Sequence, residues 1–410
     1  MKIFVLGIPH TQTTTQFTTC AFTMKVWNLC AMMHRRGHEV IHLGTEGSNP
    51  ECTEHVSITP YDLWKKLYGP PGTSFYNLNT EGEYRPYHDL YIKNARKAIQ
   101  ERLGANWTAI LAVPWGGSQR TATENLNQPV VESGIGYRHT FSFFRVFESY
   151  AWMHFHFGLE KRFEAARWYD CVIPNAFDPE MFRFGPKKFR KDHFLFMGRL
   201  NDDKGVGLAA HVTKHIGAKL LIVGQGDPAR FLKNNPHVTY LPPVGIEERK
   251  KLFAECKAAF VPSFYLEPFA GVAVEAQMSG CPVITTDWGV FAETCQHGYT
   301  GFRCRSFEHF VWAAKNIHKI DNMACRNWAL ENYSRERVAL MYEEYFQQVL
   351  NLKDKGFYQE HPGRTQLDWL QKNCAWKPKG ISLNIKHVAP VFAPPPPPAP
   401  PASPEQPKTS

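Results

Sequence analysis

Two carboxylates, Glu267 and Glu275, bracket the run Glu267-Pro268-Phe269-Ala270-Gly271-Val272-Ala273-Val274-Glu275. The small residues between them follow an apolar, strand-like stretch, Ala258-Ala259-Phe260-Val261-Pro262, and open a helix. A helix start leaves the backbone N–H groups around Ala270, Gly271 and Val272 without intrahelical partners and carries the positive end of the helix dipole, so a diphosphate fits there. Five helical residues rise roughly 7–8 Å, about the span from a diphosphate to a ribose. Glu275 could then accept hydrogen bonds from ribose hydroxyls while Glu267 meets a sugar. The same spacing also suits a solvated helix carboxylate and a second one set against the helix dipole.

A departing diphosphate needs cations, because negative charge grows on it as the bond to a sugar's anomeric carbon breaks. Arg199 follows the strand-like run Phe194–Gly198, and Lys204 follows the polar turn Asn201-Asp202-Asp203 at the start of a helical pattern. A rigid guanidinium fork and a mobile ammonium there could clamp two phosphate groups; the alternative is that both pair with Asp202 and Asp203 as surface charges. The loop after Leu241 offers Val244 as a backbone contact for a base. No metal site is expected, since Asp202-Asp203 lacks the Asp-x-Asp spacing of a cation-binding turn.

These motifs fall in one order along the chain. Ile173-Pro174-Asn175, Gly198-Arg199 with Lys204-Gly205, Ile222-Val223-Gly224 with Gly226, the Glu267–Glu275 pair, and Gly280-Cys281-Pro282-Val283 followed by Gly289 and Glu293 together resemble the retaining glycosyltransferases of GT-B fold, glycosyltransferase family four. The resemblance covers about residues 1–350 and is strongest from Pro174 to Gly301. It implies transfer, with retention of anomeric configuration, from a nucleotide-diphosphate sugar such as a UDP- or GDP-sugar to a glycan or other hydroxyl acceptor, with no further cofactor and no metal. It also implies two Rossmann-like domains facing across a cleft, the second binding the donor. A same-fold nucleotide-sugar epimerase or phosphorylase, or a non-catalytic sugar-nucleotide-binding scaffold, is the rival reading.

The chain departs from that pattern in three places. A histidine of the first domain commonly approaches the donor sugar in the family, and here His139, beyond Pro129–Tyr137, is the nearest candidate for a catalytic role. The paired glycines before the first helix are replaced by Cys20-Ala21, after the threonine-rich loop Thr11–Thr19, whose hydroxyls could contact the phosphate or acceptor but of which Thr18 and Thr19 are rather expected to cap the helix. Ala270 stands where glycine usually follows the phenylalanine, leaving close approach to Gly271.

The elements that must position these residues read as alternating strands and helices, hence an α/β fold with parallel sheets. Lys2–Ile8, Glu39–Leu43, Thr108–Val113, Pro129–Glu132 and Cys171–Pro174 read as strands of a first domain, with helices over Phe22–Arg36, Tyr91–Leu103 and the aromatic run Phe143–Phe157. The second series begins near Phe194, with strands at Lys219–Val223, Val238–Leu241 and Ala258–Val261 and a helix at Glu247–Cys256. The expected organisation is an acceptor-binding domain over 1–176, a nucleotide-sugar-binding domain over 177–333, a helix over 334–352 that in the resembling family crosses back to the first domain, an extension over 353–388, and a disordered proline-rich tail over 389–410.

Composition sets the outer bounds. A chain of 410 residues with 43% hydrophobic and 21% charged side chains is an ordinary globular one with room for two cores. Ten cysteines without a Cys-x-x-Cys pair suggest reduced thiols, and the absence of a signal-like or membrane-spanning apolar run suggests a cytoplasmic location. A net charge of +9 suits an acidic ligand, but the basic residues form no dense stripe, so nucleic acid is not an expected partner. Arg35-Arg36 and Lys65-Lys66 leave open weak peripheral contact with anionic lipid, and the prolines of the tail leave open a role as a protein ligand.

Overall fold

The computed structural model describes residues 1–18, 20–69, 81–162, 169–233, 235–352 and 359–360; the extension and the proline-rich tail lie outside them apart from residues 359–360. Among the described residues thirteen short strands form two sheets. The first holds β1 (Lys2–Leu6), β2 (Glu39–Thr45), β3 (Glu54–Thr59), β4 (Ala109–Ala112), β5 (Val130–Ile135), β6 (Phe144–Phe147) and β7 (Asp170–Val172). The second holds β8 (His193–Met197), β9 (Lys219–Val223), β10 (Val238–Leu241), β11 (Ala258–Val261), β12 (Val283–Thr286) and β13 (Gly301–Cys304). The strand orders are β3-β2-β1-β4-β5-β6-β7 and β10-β9-β8-β11-β12-β13, and the pairings are parallel throughout.

Parallel strands covered on both faces read as apolar runs, which is why these segments were conspicuous in the sequence. In the second sheet Phe194, Phe196, Ile222 and Phe260 face one core and Leu195, Val223, Ala259 and Val261 the other. In the first, Ile3, Val5, Ile110 and Val146 oppose Phe4, Leu6, Ala109 and Leu111.

The helices of eight residues or more are α1 (Ala21–Arg35), α2 (Tyr61–Tyr68), α3 (Glu81–Gln100), α4 (Tyr150–Leu159), α5 (Val206–His215), α6 (Ile246–Glu255), α7 (Gly271–Met278), α8 (Phe307–Asn316), α9 (Asn322–Tyr333) and α10 (Arg335–Leu352). Helix α10 buries Val338, Tyr342, Phe346 and Val349 in the same core as Val26 and Leu29 of α1. The chain thus ends its second sheet's helices and returns to the first domain.

Two expectations are corrected here. The run Phe143–Phe157 is not one helix: Phe144–Phe147 is strand β6, and α4 starts at Tyr150 behind Ser149, whose Oγ accepts from the Trp152 N–H. The central Arg145 disguised the strand, because its guanidinium is fully buried and ion-paired to Asp170 and Glu160, each at 2.5 Å. Nor does Thr18 cap α1. The N-cap is Cys20, with no side-chain cap bond, and Thr19 lies outside the described residues. The loop's Thr11 and Thr13 are buried, bonded to Thr23 at 2.6 Å and His42 at 3.0 Å.

The basic clusters are also largely spoken for. Arg35 pairs with Glu51 and Arg36 with Glu343, while Arg190 donates to three carbonyls, of Phe253, Cys256 and Ser279.

Candidate functional site

Each sheet reverses its direction of winding between two neighbouring strands, β1 and β4 in the first and β8 and β11 in the second. Loops leaving the carboxyl ends of such strands diverge and leave a crevice, the usual ligand site of an open parallel sheet. Lys204 lies in the loop after β8 and Glu267 in the loop after β11, so topology alone brings these two residues to one crevice.

Close backbone contact fixes the two loops together. The Phe264 N–H donates to the Asp203 carbonyl at 2.7 Å. Gly205 takes a left-handed conformation at φ +72°, and a Cβ there would stand 2.2 Å from the Pro262 carbonyl oxygen. Glycine therefore both makes the turn and lets the loop sit on the end of β11. Lys204, one residue earlier, then reaches across: its Nζ donates to Glu267 Oε1 at 2.9 Å and lies 4.9 Å from the centre of the Tyr265 ring.

Glu267 is only 6% exposed and also accepts from the buried Ser263 hydroxyl. Burial opposes the charge on Lys204, but Glu267 and Tyr265 outweigh it, and the lysine pKa ends above its ordinary value. The ammonium is thus kept protonated in the crevice. Burial, then Glu267, raises Tyr265, with Lys204 and Arg199 pulling the other way. Arg199 itself is exposed, two residues beyond β8. The proposed surface pairing with Asp202 is not formed by Lys204 or Arg199, since Asp202 pairs with Arg230 at 2.7 Å.

Helix α7 begins at Gly271, and its N-cap Ala270 adopts φ 60°, ψ 54°. The departure flagged in the sequence is therefore a strained one: alanine occupies a left-handed conformation that glycine takes without cost. Its methyl is buried in the second core, which compensates. The N–H groups of Gly271 and Val272 belong to the first turn of α7, where no intrahelical acceptor exists. Glu275 sits four residues into α7, half-buried, and is ion-paired to Arg249 of α6 through Oε2. A carboxylate has lone pairs for more than that one partner, so Oε1 can still accept from a ligand. Val244 is half-buried just before α6.

His139 is exposed on the loop after β5, and no hydrogen bond or ion pair joins it to Lys204 or Glu267. Sequence reasoning missed Ser263, Tyr265 and Arg249. Ser263 and Tyr265 lie within four residues of Glu267, on the short connection that has to turn back over β11; Arg249 was hidden in the charged run Glu247-Glu248-Arg249-Lys250-Lys251, which reads as a solvated helix face.

The same loop touches the first domain. Ser149 Oγ donates to the Pro268 carbonyl at 2.7 Å. The Glu293 carboxylate accepts from the Tyr150 and Ala151 N–H groups, both at 2.9 Å, and so caps α4 from across the cleft. Among the described residues no group of three or more His, Cys, Asp or Glu side chains could hold a metal ion, and no helix is long and apolar enough to cross a membrane.

Residues 178–331, which carry this crevice, match the family model described as glycosyl transferases group 1. The crystal structure of AviGT4, a glycosyltransferase involved in avilamycin A biosynthesis, superposes with a TM-score of 0.62 at 19% identity, covering 85% of this chain and 98% of that one. The fold is GT-B. An uncharacterized glycosyltransferase of Methanocaldococcus jannaschii is 27% identical over 164 residues, 37% of this chain and 40% of its own. The glycogen synthase of Mycobacterium tuberculosis is 31% identical over 147 residues, 32% of this chain and 35% of its own. The chain thus spans well under half the length of these curated relatives.

Proposed function

We propose that the protein is a glycosyltransferase that moves a sugar from a nucleotide-diphosphate sugar, such as a UDP- or GDP-sugar, to a hydroxyl acceptor, with retention of anomeric configuration and without a metal. The observation that carries this reading is the Lys204–Glu267 pair at the second sheet's switch point, beside the N-terminus of α7. The match of residues 178–331 to the glycosyl transferase family supports it.

In this reading the diphosphate lies against the first N–H groups of α7, and Lys204 swings from Glu267 to the phosphate as charge grows there, aided by Arg199. Glu267, relieved of the ammonium, faces the sugar, accepts its hydroxyls and stabilises positive charge at the anomeric carbon. Glu275 holds the ribose. For retention, the leaving phosphate oxygen takes the proton of the acceptor hydroxyl as that hydroxyl attacks from the same face. Closure of the two domains, through the Ser149–Pro268 and Glu293–α4 contacts, would exclude water and limit hydrolysis.

The test mixes the protein with a panel of UDP- and GDP-sugars and follows released nucleotide with and without acceptors and chelator. Acceptor-stimulated release that chelator leaves unchanged is expected, with the product retaining the donor's anomeric configuration by NMR. Nucleotide-sugar binding with no turnover across a broad acceptor panel would instead make the protein a scaffold, and an inverted product would remove the retaining step.

A further inference from the structure

At the amino ends of β11 and β12, on the edge of the second sheet away from the crevice, two helices finish side by side. The strands pair with Ala259 opposite Val283, and the Ala259 N–H donates to the Pro282 carbonyl at 3.0 Å. Helix α6 stops at its C-cap Cys256, whose N–H donates to the Leu252 carbonyl. Helix α7 turns off into β12 at Cys281, whose N–H donates to the Ala276 carbonyl at 2.8 Å. Each cysteine stands two residues before its strand, so strand pairing sets the two thiols together.

Their sulfurs are 3.2 Å apart, and both residues are fully buried. A disulfide has a sulfur–sulfur distance of about 2.05 Å. The remaining approach of about 1 Å is within reach of side-chain rotation, without displacing either strand. Other buried thiols of this domain turn to carbonyl oxygens, Cys304 to that of Phe302 at 3.8 Å and Cys325 to that of Thr300 at 3.5 Å.

Arg190 straps the same two helix ends. Its Nη1 donates to the Phe253 and Cys256 carbonyls at 2.9 and 2.7 Å and its Nη2 to the Ser279 carbonyl at 2.9 Å, while Nε is buried without a hydrogen-bond partner. A guanidinium beside a thiol favours the thiolate. Burial opposes ionisation of Cys281, but the Cys256 S–H and the Arg190 charge outweigh it, and the Cys281 pKa is lowered. Burial, then Cys281, holds Cys256 well above its ordinary value. The pair is therefore unequal: one sulfur is suited to attack, and the other keeps its proton until the second step.

We propose that Cys256 and Cys281 are a modification site, a thiol pair that hydrogen peroxide converts to an intramolecular disulfide fastening α6 to α7. The Cys281 thiolate attacks one peroxide oxygen, the O–O bond breaks, and the sulfenic acid and a water are left once protons are returned. Cys256 then gives up its proton as its sulfur attacks the sulfenic sulfur; the S–O bond breaks and the oxygen leaves as a second water. Two thiols and one peroxide thus give one disulfide and two waters, the sulfurs losing two electrons. The link crosses the two helices that also carry the Arg249–Glu275 ion pair, and it does so without touching the crevice. The inference is independent of the glycosyltransferase reading.

To test it, the full-length protein is reduced, freed of reductant, treated with hydrogen peroxide, alkylated in denaturant and digested for peptide mass spectrometry without reduction. A Cys256–Cys281 cross-link is expected, with two alkylatable thiols lost, and dithiothreitol should restore both. Cys281→Ser should abolish the cross-link, whereas Cys295→Ser should leave it. Oxidised wild-type protein should also unfold at a higher urea midpoint than reduced protein, because the bond closes a loop in the unfolded chain. Recovery of Cys256 and Cys281 as free thiols would overturn the proposal, as would a cross-link that forms only when peroxide is added in urea, or one to Cys295 or Cys325. An unchanged or lower midpoint in the cross-linked protein would overturn it equally, since the bond would then form only by distorting the core. The deciding measurements are made on the wild-type protein, so they do not depend on a variant folding.

Discussion

In the proposed transfer Lys204 answers to two partners in turn, Glu267 and then the leaving phosphate. In the free protein its charge is held by Glu267 at 2.9 Å and by the Tyr265 ring, so it is ready and ionised without being locked by a second carboxylate. Lys204→Ala is expected to lower the rate of nucleotide release by a hundredfold or more, the usual scale for losing one group that meets developing charge, measured as kcat with saturating donor. The same proposal gives Glu275 a different part, since ribose hydroxyls change little between ground and transition states. Glu275→Ala should raise the donor KM by about tenfold with little change in kcat, the signature of lost uniform binding. Equal losses in kcat for both variants would contradict this division. That Lys204 and Glu267 meet was legible in the sequence because their spacing around two strand ends and a helix start is itself geometric. Ser263, Tyr265 and Arg249 were not, because a hydroxyl, a phenol and a helix arginine carry no spacing signal until the loops are folded.

The elements deliver these side chains through backbone contacts that side-chain patterns only hint at. Gly205 is the clearest case. Replacing it with alanine puts a side chain into a left-handed turn, at about 1–2 kcal/mol, and drives its Cβ against the Pro262 carbonyl oxygen. Gly205→Ala should therefore destabilise the protein by more than about 2 kcal/mol in urea unfolding and lose turnover as Lys204 is displaced; a variant with wild-type stability and rate would show that the loop is not so constrained. Most strands could be read from their apolar runs, including Phe194–Gly198 and Ala258–Val261, whose ends place the site. β6 could not, because a buried arginine at its centre satisfies its charge with Asp170 and Glu160, partners distant in sequence. β3 was missed for a related reason: Glu54, His55 and Ser57 give the strand a half-exposed, polar edge pairing only with β2.

At the scale of the molecule, one core holds α1 and α10 together, Ser149 and Glu293 bridge the cleft, and many titratable groups are enclosed. Burial lowers the pKa of His10, His38, His42, His55, His88, His156, His193 and His297. For each, the unfolded chain binds a proton near pH 6.5 that the folded protein takes up only at lower pH. Between those values the unfolded state holds more protons, so stability falls as pH falls. Glu132 and Glu344 act in the opposite sense: burial lifts both to about 7, so their contribution is full below the ordinary carboxyl range and is lost as pH rises through 7. The first effect is expected to prevail, carried chiefly by His10 and by the fully buried His42 and His156. The urea midpoint should therefore drop steadily from pH 6.5 toward pH 4.5, and His10→Phe, which keeps a ring against Trp115 but cannot titrate, should drop less over the same range. A midpoint that is flat or rising on acidification would mean that Glu132 and Glu344 outweigh the histidines.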